Sequence, residues 1–157
     1  MIVTIDVEDE AWHHLPGLEE LARSAVSAAL AGLNISGNTE TALLFTDDAS
    51  IAAINAEWRG KPTPTNVLSF PTPEDFAVPD GEPRPLGDIV LAYGTVAREA
   101  EEQGKTLQAH AMHLIVHGVL HLAGHDHEDD TQADAMERLE IEILKGLGIT
   151  NPYHERQ

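Results

Sequence analysis

The chain contains no cysteine, so neither disulfides nor thiolate metal ligands enter its chemistry. Cations are scarce: nine Lys and Arg stand against 27 Asp and Glu, a formal charge of -18. That balance favours solubility and repels polyanions at long range, which argues against general nucleic-acid binding. No apolar run approaches the roughly 20 residues of a membrane span. The start, Met1-Ile-Val-Thr-Ile-Asp6, lacks the basic region and apolar run of a secretory signal. A cytoplasmic protein without membrane association is the expectation. At 157 residues the chain can bury a full core without staples. With no internal repeat or low-complexity tract to divide it, residues 1–157 are read as a single domain.

Ile2 to Val7 alternates β-branched and polar residues and reads as a first strand, with Trp12, His13 and His14 in the loop after it. Pro16 opens a helix to about Leu33, whose small alanines suggest close packing on a sheet. Thr41 to Thr46 makes a second strand, and Asp47 or Asp48 caps a helix to about Trp58. A proline-rich loop leads to a short strand at Val67 to Phe70, and the stretch from Pro71 to Leu86, with five prolines counting Pro71, reads as a surface loop. Gly87 to Tyr93 is a further strand, followed by a helix from about Thr95 to Gln103 and a histidine-rich helix from Thr106. Asp129 or Asp130 caps a last helix, and the tail from Asn151 frays. The fold class is α+β: one mixed sheet of about four strands packed by helices, with the histidine-bearing helix at its centre.

The chemistry concentrates in His117-Gly-Val-Leu-His121-Leu-Ala-Gly124-His-Asp-His127. On a helix His117 and His121 lie one turn apart on one face, so both rings can converge on one ion. Gly124 supplies the turn that brings His127 back as a third ligand. Three nitrogens leave a tetrahedral position open, the mark of a catalytic zinc site, although imidazoles also suit nickel, copper or iron. His110, His113, His117 and His121 share a stripe roughly 80° wide at about 100° per residue. A single histidine on a buried helix is most often a hydrogen-bonded core residue, but four in line followed by His127 are costly to bury unless something coordinates them. His110 and His113, further back along the helix, stand behind the ligands or face the substrate. The spacing equals that of the metzincin zinc proteases, but Gly118 replaces the glutamate that serves them as general base. Peptide hydrolysis is therefore disfavoured, and His125 and Asp126 are the nearest polar candidates for proton transfer. Gly118 marks either a close approach by neighbouring backbone or substrate, or a packing glycine.

The same stretch resembles the signature of the YbeY family, bacterial metal-dependent endoribonucleases of ribosomal RNA maturation. Asn55, Arg59 and Pro62 with Thr65-Asn-Val-Leu-Ser-Phe-Pro71 resemble its second motif, Gly87-Asp88-Ile89 its third, and Met136 to Glu140 with Leu147-Gly148-Ile149 its C-terminal helix. His125 stands where tyrosine is common in the family, and Asn66 where aspartate is frequent. The resemblance implies a single-strand-selective endoribonuclease with one zinc per chain. Its implied substrate is the 3′ end of small-subunit (16S) rRNA, in maturation and ribosome quality control, with ribosomal or ribosome-associated proteins as partners. It assigns the zinc to His117, His121 and His127 and makes Arg59 the functional arginine beside it; His117 and Arg59 are thus the catalytic candidates, while Lys61 and Ser69, like His125 and Asp126, are candidates to face substrate or to stand behind the ligands. An arginine suits the phosphate role because its planar, permanent charge matches phosphoryl oxygens; the other reading of Arg59 is a cation compensating a helix C-terminus. Two further classes stand beside this one, a zinc metallopeptidase and a noncatalytic ribosome-assembly factor with a structural metal.

Overall fold

The computed structural model describes residues 1–73, 75–125, 129–150 and 152–153. Its sheet has four strands, β1 (Ile2–Val7), β2 (Thr39–Thr46), β3 (Val67–Pro71) and β4 (Arg84–Ala92), in the spatial order β1-β2-β4-β3. β1, β2 and β4 run parallel, and β3 lies antiparallel on the outer edge of β4. The parallel pairs need crossovers. α1 (Leu18–Gly32) joins β1 to β2, and α2 (Asp48–Arg59) follows β2 before the chain turns into β3. α3 (Tyr93–Glu102), α4 (Leu107–Leu122) and α5 (Asp130–Gly146) come last. The mixed sheet with helices on both faces is the expected α+β fold.

Alternation along the strands splits the core. Leu43, Phe45, Ile89 and Leu91 face α1 and α4, whereas Leu68, Val90 and Ala92 face Ile51 of α2. α4 is buried on almost every side, as expected of a helix apolar around most of its circumference. It touches β3, β4, α1, α3 and α5. The alanines of α1 do allow close packing, but their main neighbours are α4 and α5 rather than the sheet. Among the described residues no helix is long and apolar enough to cross a membrane.

Two segments differ from the sequence reading. Trp12 is no loop bystander: Glu10–His14 forms a 3-10 turn capped by Asp9, and the Trp12 ring is fully buried against Phe45 and Tyr93. Its indole N–H donates to the Thr46 carbonyl at 2.9 Å, which satisfies the one polar atom that burial would otherwise orphan. The tail is also anchored where it is described, since Lys105 Nζ donates to the Pro152 carbonyl at 3.2 Å.

Side-chain caps start α2, α4 and α5. Asp47 accepts from Ser50 N at 2.7 Å, Thr106 from Ala109 N at 3.0 Å and Asp129 from Gln132 N at 2.8 Å. Asp48, free of the capping task, accepts from both the backbone and the hydroxyl of Thr95 at 2.9 Å and so ties α2 to α3.

Gly87 fixes the edge strand. The β2–β4 register skips one residue between Glu40 and Thr41, so Leu86 bulges and Gly87 takes φ 141°. A Cβ there would stand 2.3 Å from the Phe70 carbonyl oxygen and 2.7 Å from Leu122. Gly87→Ala should therefore lose more than about 1 kcal/mol of stability, beyond an ordinary loss of backbone freedom, read as a lower urea midpoint at an unchanged slope.

Candidate metal centre

α4 carries its histidines as a graded stripe from the interior to the surface. His110 and His113 are 2% and 9% exposed, whereas His117 and His121 are half-buried. The two deep rings meet carboxylates from flanking helices. His110 Nε2 lies 2.9 Å from Glu99 of α3, whose same oxygen accepts from Asn66 Nδ2 at 2.9 Å. Burial pushes the His110 pKa below its ordinary 6.5, against the opposing pull of Glu99.

Glu140 of α5 is the hub of the second contact set and is completely buried. Its Oε1 meets His117 Nδ1, and its Oε2 meets His113 Nε2 at 3.0 Å and the Tyr153 hydroxyl. Burial by itself would raise the carboxyl's pKa, but these hydrogen bonds and the neighbouring imidazole outweigh it and bring it down to about 2. Tyr153 is pushed the other way, first by burial and then by its bond to Glu140.

The shallow pair faces outward. His117 Nε2 and His121 Nε2 are 3.0 Å apart, close to the roughly 3.3 Å between two ligands of a tetrahedral ion with bonds of about 2.0–2.1 Å. Neutral imidazole nitrogens converging on one point are a donor set that suits zinc, so these residues fit a metal. Among the described residues His113, His117 and Glu140 also bring ligand atoms within 4.8 Å of one another, a cluster that could hold an ion. His127 and Asp126 lie outside the described residues. Gly124 has φ 96° and open space around it, as a turn there requires.

The histidine pair opens into a cleft of about 500 Å³ running along the edge strand, lined by Arg59, Asn66, Ser69, His117, His121 and His125. Arg59, exposed at the end of α2, thus reaches the same space as histidines nearly sixty residues further along. Ser69 Oγ donates to the Gly118 carbonyl at 3.4 Å, fastening β3 to α4 beneath the cleft. Lys61 is exposed on the loop after Arg59. A second groove, of about 550 Å³, adjoins across Pro71, His121 and Gly124 and is lined by Phe76, Arg84 and Leu122. Gly118 proves to be a close approach of a side chain, for a Cβ at that position would meet Ile89 of β4 at 3.0 Å. A carboxylate there would enter the sheet-facing core instead of the cleft.

Sequence reasoning missed Glu140 as a functional residue, although a signal existed. It occupies a core-facing position of α5 with Met136, Ile143 and Leu144, and a carboxylate there needs buried donors. Glu99 and Tyr153 gave no comparable signal, because their partners come from other elements.

The family model described as Endoribonuclease YbeY matches residues 4–148. A protein named Endoribonuclease YbeY from Chelativorans sp. is 54% identical over 136 residues, covering 87% of this chain and 83% of that protein. Relatives of the same name from Azorhizobium caulinodans and Erythrobacter litoralis are each 49% identical; the first alignment covers 98% of this chain and 96% of the relative, the second 99% of each. A Thermotoga maritima protein solved in solution shares the fold with a TM-score of 0.58 at 22% identity, over 94% of this chain and 92% of that one.

The depressed His110 pKa has a stability consequence of definite sign. The unfolded chain binds the proton more readily, so stability rises with pH through the window below 6.5 and is lost on acidification. His110→Gln, which keeps a donor toward Glu99, should flatten the dependence of unfolding free energy on pH between about pH 7 and 5, as measured by urea titrations at several pH values. An unchanged slope would sink this assignment.

Proposed function

The chain belongs to the YbeY endoribonuclease family, and from that premise we propose that residues 1–157 act as one zinc-dependent endoribonuclease domain cutting single-stranded RNA. Its substrate is the 3′ region of small-subunit (16S) rRNA, in maturation and ribosome quality control in the cytoplasm. The observation that carries the reading is the convergence of His117 and His121 at 3.0 Å inside a cleft that Arg59 also lines. One zinc per chain would be held by His117, His121 and His127. When bound, the ion supplies Lewis acidity and brings the pKa of a water down to about 7.

The chain's own residues supply binding and orientation. Arg59 holds the scissile phosphate and meets the charge that develops on its oxygens, with a planar fork of donors that a lysine lacks. The edge strand β3 forms one wall, with no further strand on its outer side among the described residues, so an extended single strand can be held along it. Lys61 lies beyond Arg59, and Arg84 lines the groove across His121. These local cations counter the overall charge of -18, and basic ribosomal proteins would bring the acidic enzyme to its RNA. A peptidase role is opposed by Gly118, which points at Ile89 and offers no base. A purely structural metal is opposed by a pair of ligands that faces an open cleft.

Elemental analysis of untagged protein should find one zinc per chain. His121→Ala should lose the metal and melt at lower temperature, because bound metal stabilises the folded state. Arg59→Ala should keep both zinc and melting temperature while cleaving single-stranded RNA on the order of 100-fold more slowly, the scale of one lost transition-state contact. Arg59→Lys should recover part of that rate. Wild-type cleavage by Arg59→Ala, or chelator-sensitive casein hydrolysis outpacing RNA cleavage, would overturn the proposal.

A further inference from the structure

Glu140 has no part in the function as proposed so far, yet it touches the metal-facing stripe at two places. An ionised carboxylate only accepts hydrogen bonds, so each of its partners must donate. His117 then carries its ring proton on Nδ1, toward Glu140 Oε1. Its Nε2 is left with a lone pair, aimed at the point where His121 Nε2 arrives at 3.0 Å. The second carboxylate oxygen is held by His113 Nε2 at 3.0 Å and by the Tyr153 hydroxyl, so the carboxylate cannot swing away from His117.

We propose that Glu140 is a positioning residue for the metal site: it fixes the tautomer and ring orientation of His117, so that Nε2 rather than Nδ1 is the atom presented to the ion. This rests on the reading that His117 and His121 hold the metal. The pattern is the carboxylate–histidine–metal relay, in which an acceptor behind the imidazole both selects the tautomer and raises the ring's basicity. His113 and Tyr153 are the brace of that carboxylate. The competing arrangement, with Glu140 itself a ligand beside His113 and His117, requires His117 Nδ1 to face the ion. That nitrogen is the one in hydrogen-bond contact with Glu140, so the two arrangements present opposite nitrogens of His117 to the ion.

The test uses the full chain and two variants. Glu140→Met removes the acceptor at similar length, and Glu140→Gln keeps an amide oxygen that can still accept from His117 Nδ1. Zinc affinity is read by competition with a chromogenic chelator, and the His117 tautomer by long-range nitrogen–proton NMR on metal-free protein. In the wild type His117 should be the Nδ1–H tautomer. Glu140→Met should bind zinc about 10- to 100-fold more weakly, the usual scale for losing such a partner, and show mixed tautomers; Glu140→Gln should keep most of the affinity. The ligand field of cobalt-substituted protein should be the same in wild type and Glu140→Gln. The proposal falls if the metal-free wild type carries the proton on Nε2, if Glu140→Met binds zinc with wild-type affinity, if Glu140→Gln loses as much as Glu140→Met, or if cobalt reports a carboxylate ligand that Glu140→Gln removes. Should Glu140→Met fail to fold, the wild-type tautomer and Glu140→Gln still decide. Because the tautomer is read without metal, its outcome is independent of whether the chain cleaves RNA.

Discussion

Four imidazoles on a helix that lies in the middle of the core set the constraint to which the rest of the molecule answers. Burying polar rings without partners costs free energy on a scale comparable to a whole domain's net stability. The fold meets this by depth. At the buried end, α3 and α5 each deliver a carboxylate, Glu99 to His110 and Glu140 to His113 and His117. Towards the open end His117 keeps one ring nitrogen on Glu140 and turns the other, with His121, to the cleft. The flanking helices are thus more than packing against α4, since each carries the charge that makes its burial tolerable. Asn66 extends the same logic to the sheet by donating to Glu99 just before β3 begins.

Much of this arrangement was legible in the sequence, for reasons that also explain what was not. The histidine stripe is a local signal: spacings of three and four on one helix determine one face, whatever the surroundings. The strand and helix boundaries were legible where a cap or a glycine punctuates them, as at Asp47, Thr106 and Gly124. Arg59 was legible only through resemblance, because nothing local connects it to the histidines; the order β1-β2-β4-β3 is what carries the end of α2 to the cleft. Glu99 and Tyr153 depend on pairings between elements, which a single sequence does not encode in its periodicity; for Glu140 the period of α5 marks a buried carboxylate but not its partners. Trp12 failed for a related reason. A short 3-10 turn lacks enough residues to establish a period, so its burial appears only once Phe45 and Tyr93 are beside it.

Net charge and site charge answer different questions. A formal charge of -18 acts over the long range that salt screens within about 8 Å at physiological ionic strength, so it governs encounter more than contact. At contact the relevant groups are Arg59, which lines the cleft with the histidines, and Arg84, which lines the adjoining groove. For the proposed reaction this separation has a consequence: free RNA is met slowly, while RNA already held near the protein by a basic partner encounters a cleft whose lining among the described residues is cationic or neutral. Under that proposal, selectivity would arise from delivery as well as from contacts within the cleft.

The contrast with peptidases of the same histidine spacing turns on which side of the helix does chemistry. The residue after the first histidine is rotated about 100° from it, and in this fold that direction points into the sheet, where Gly118 lets α4 settle within 3.0 Å of Ile89 for an added Cβ. The position has been given to packing. Its carbonyl is used as well, as the acceptor for Ser69 of the edge strand. A side chain there would need the Ile89 side chain to give way even for its first carbon, and would be directed at the sheet rather than at the cleft. The same glycine therefore serves two strands: its open Cα side lets Ile89 of β4 pack closely, and its carbonyl takes the hydrogen bond that fastens the edge strand to α4.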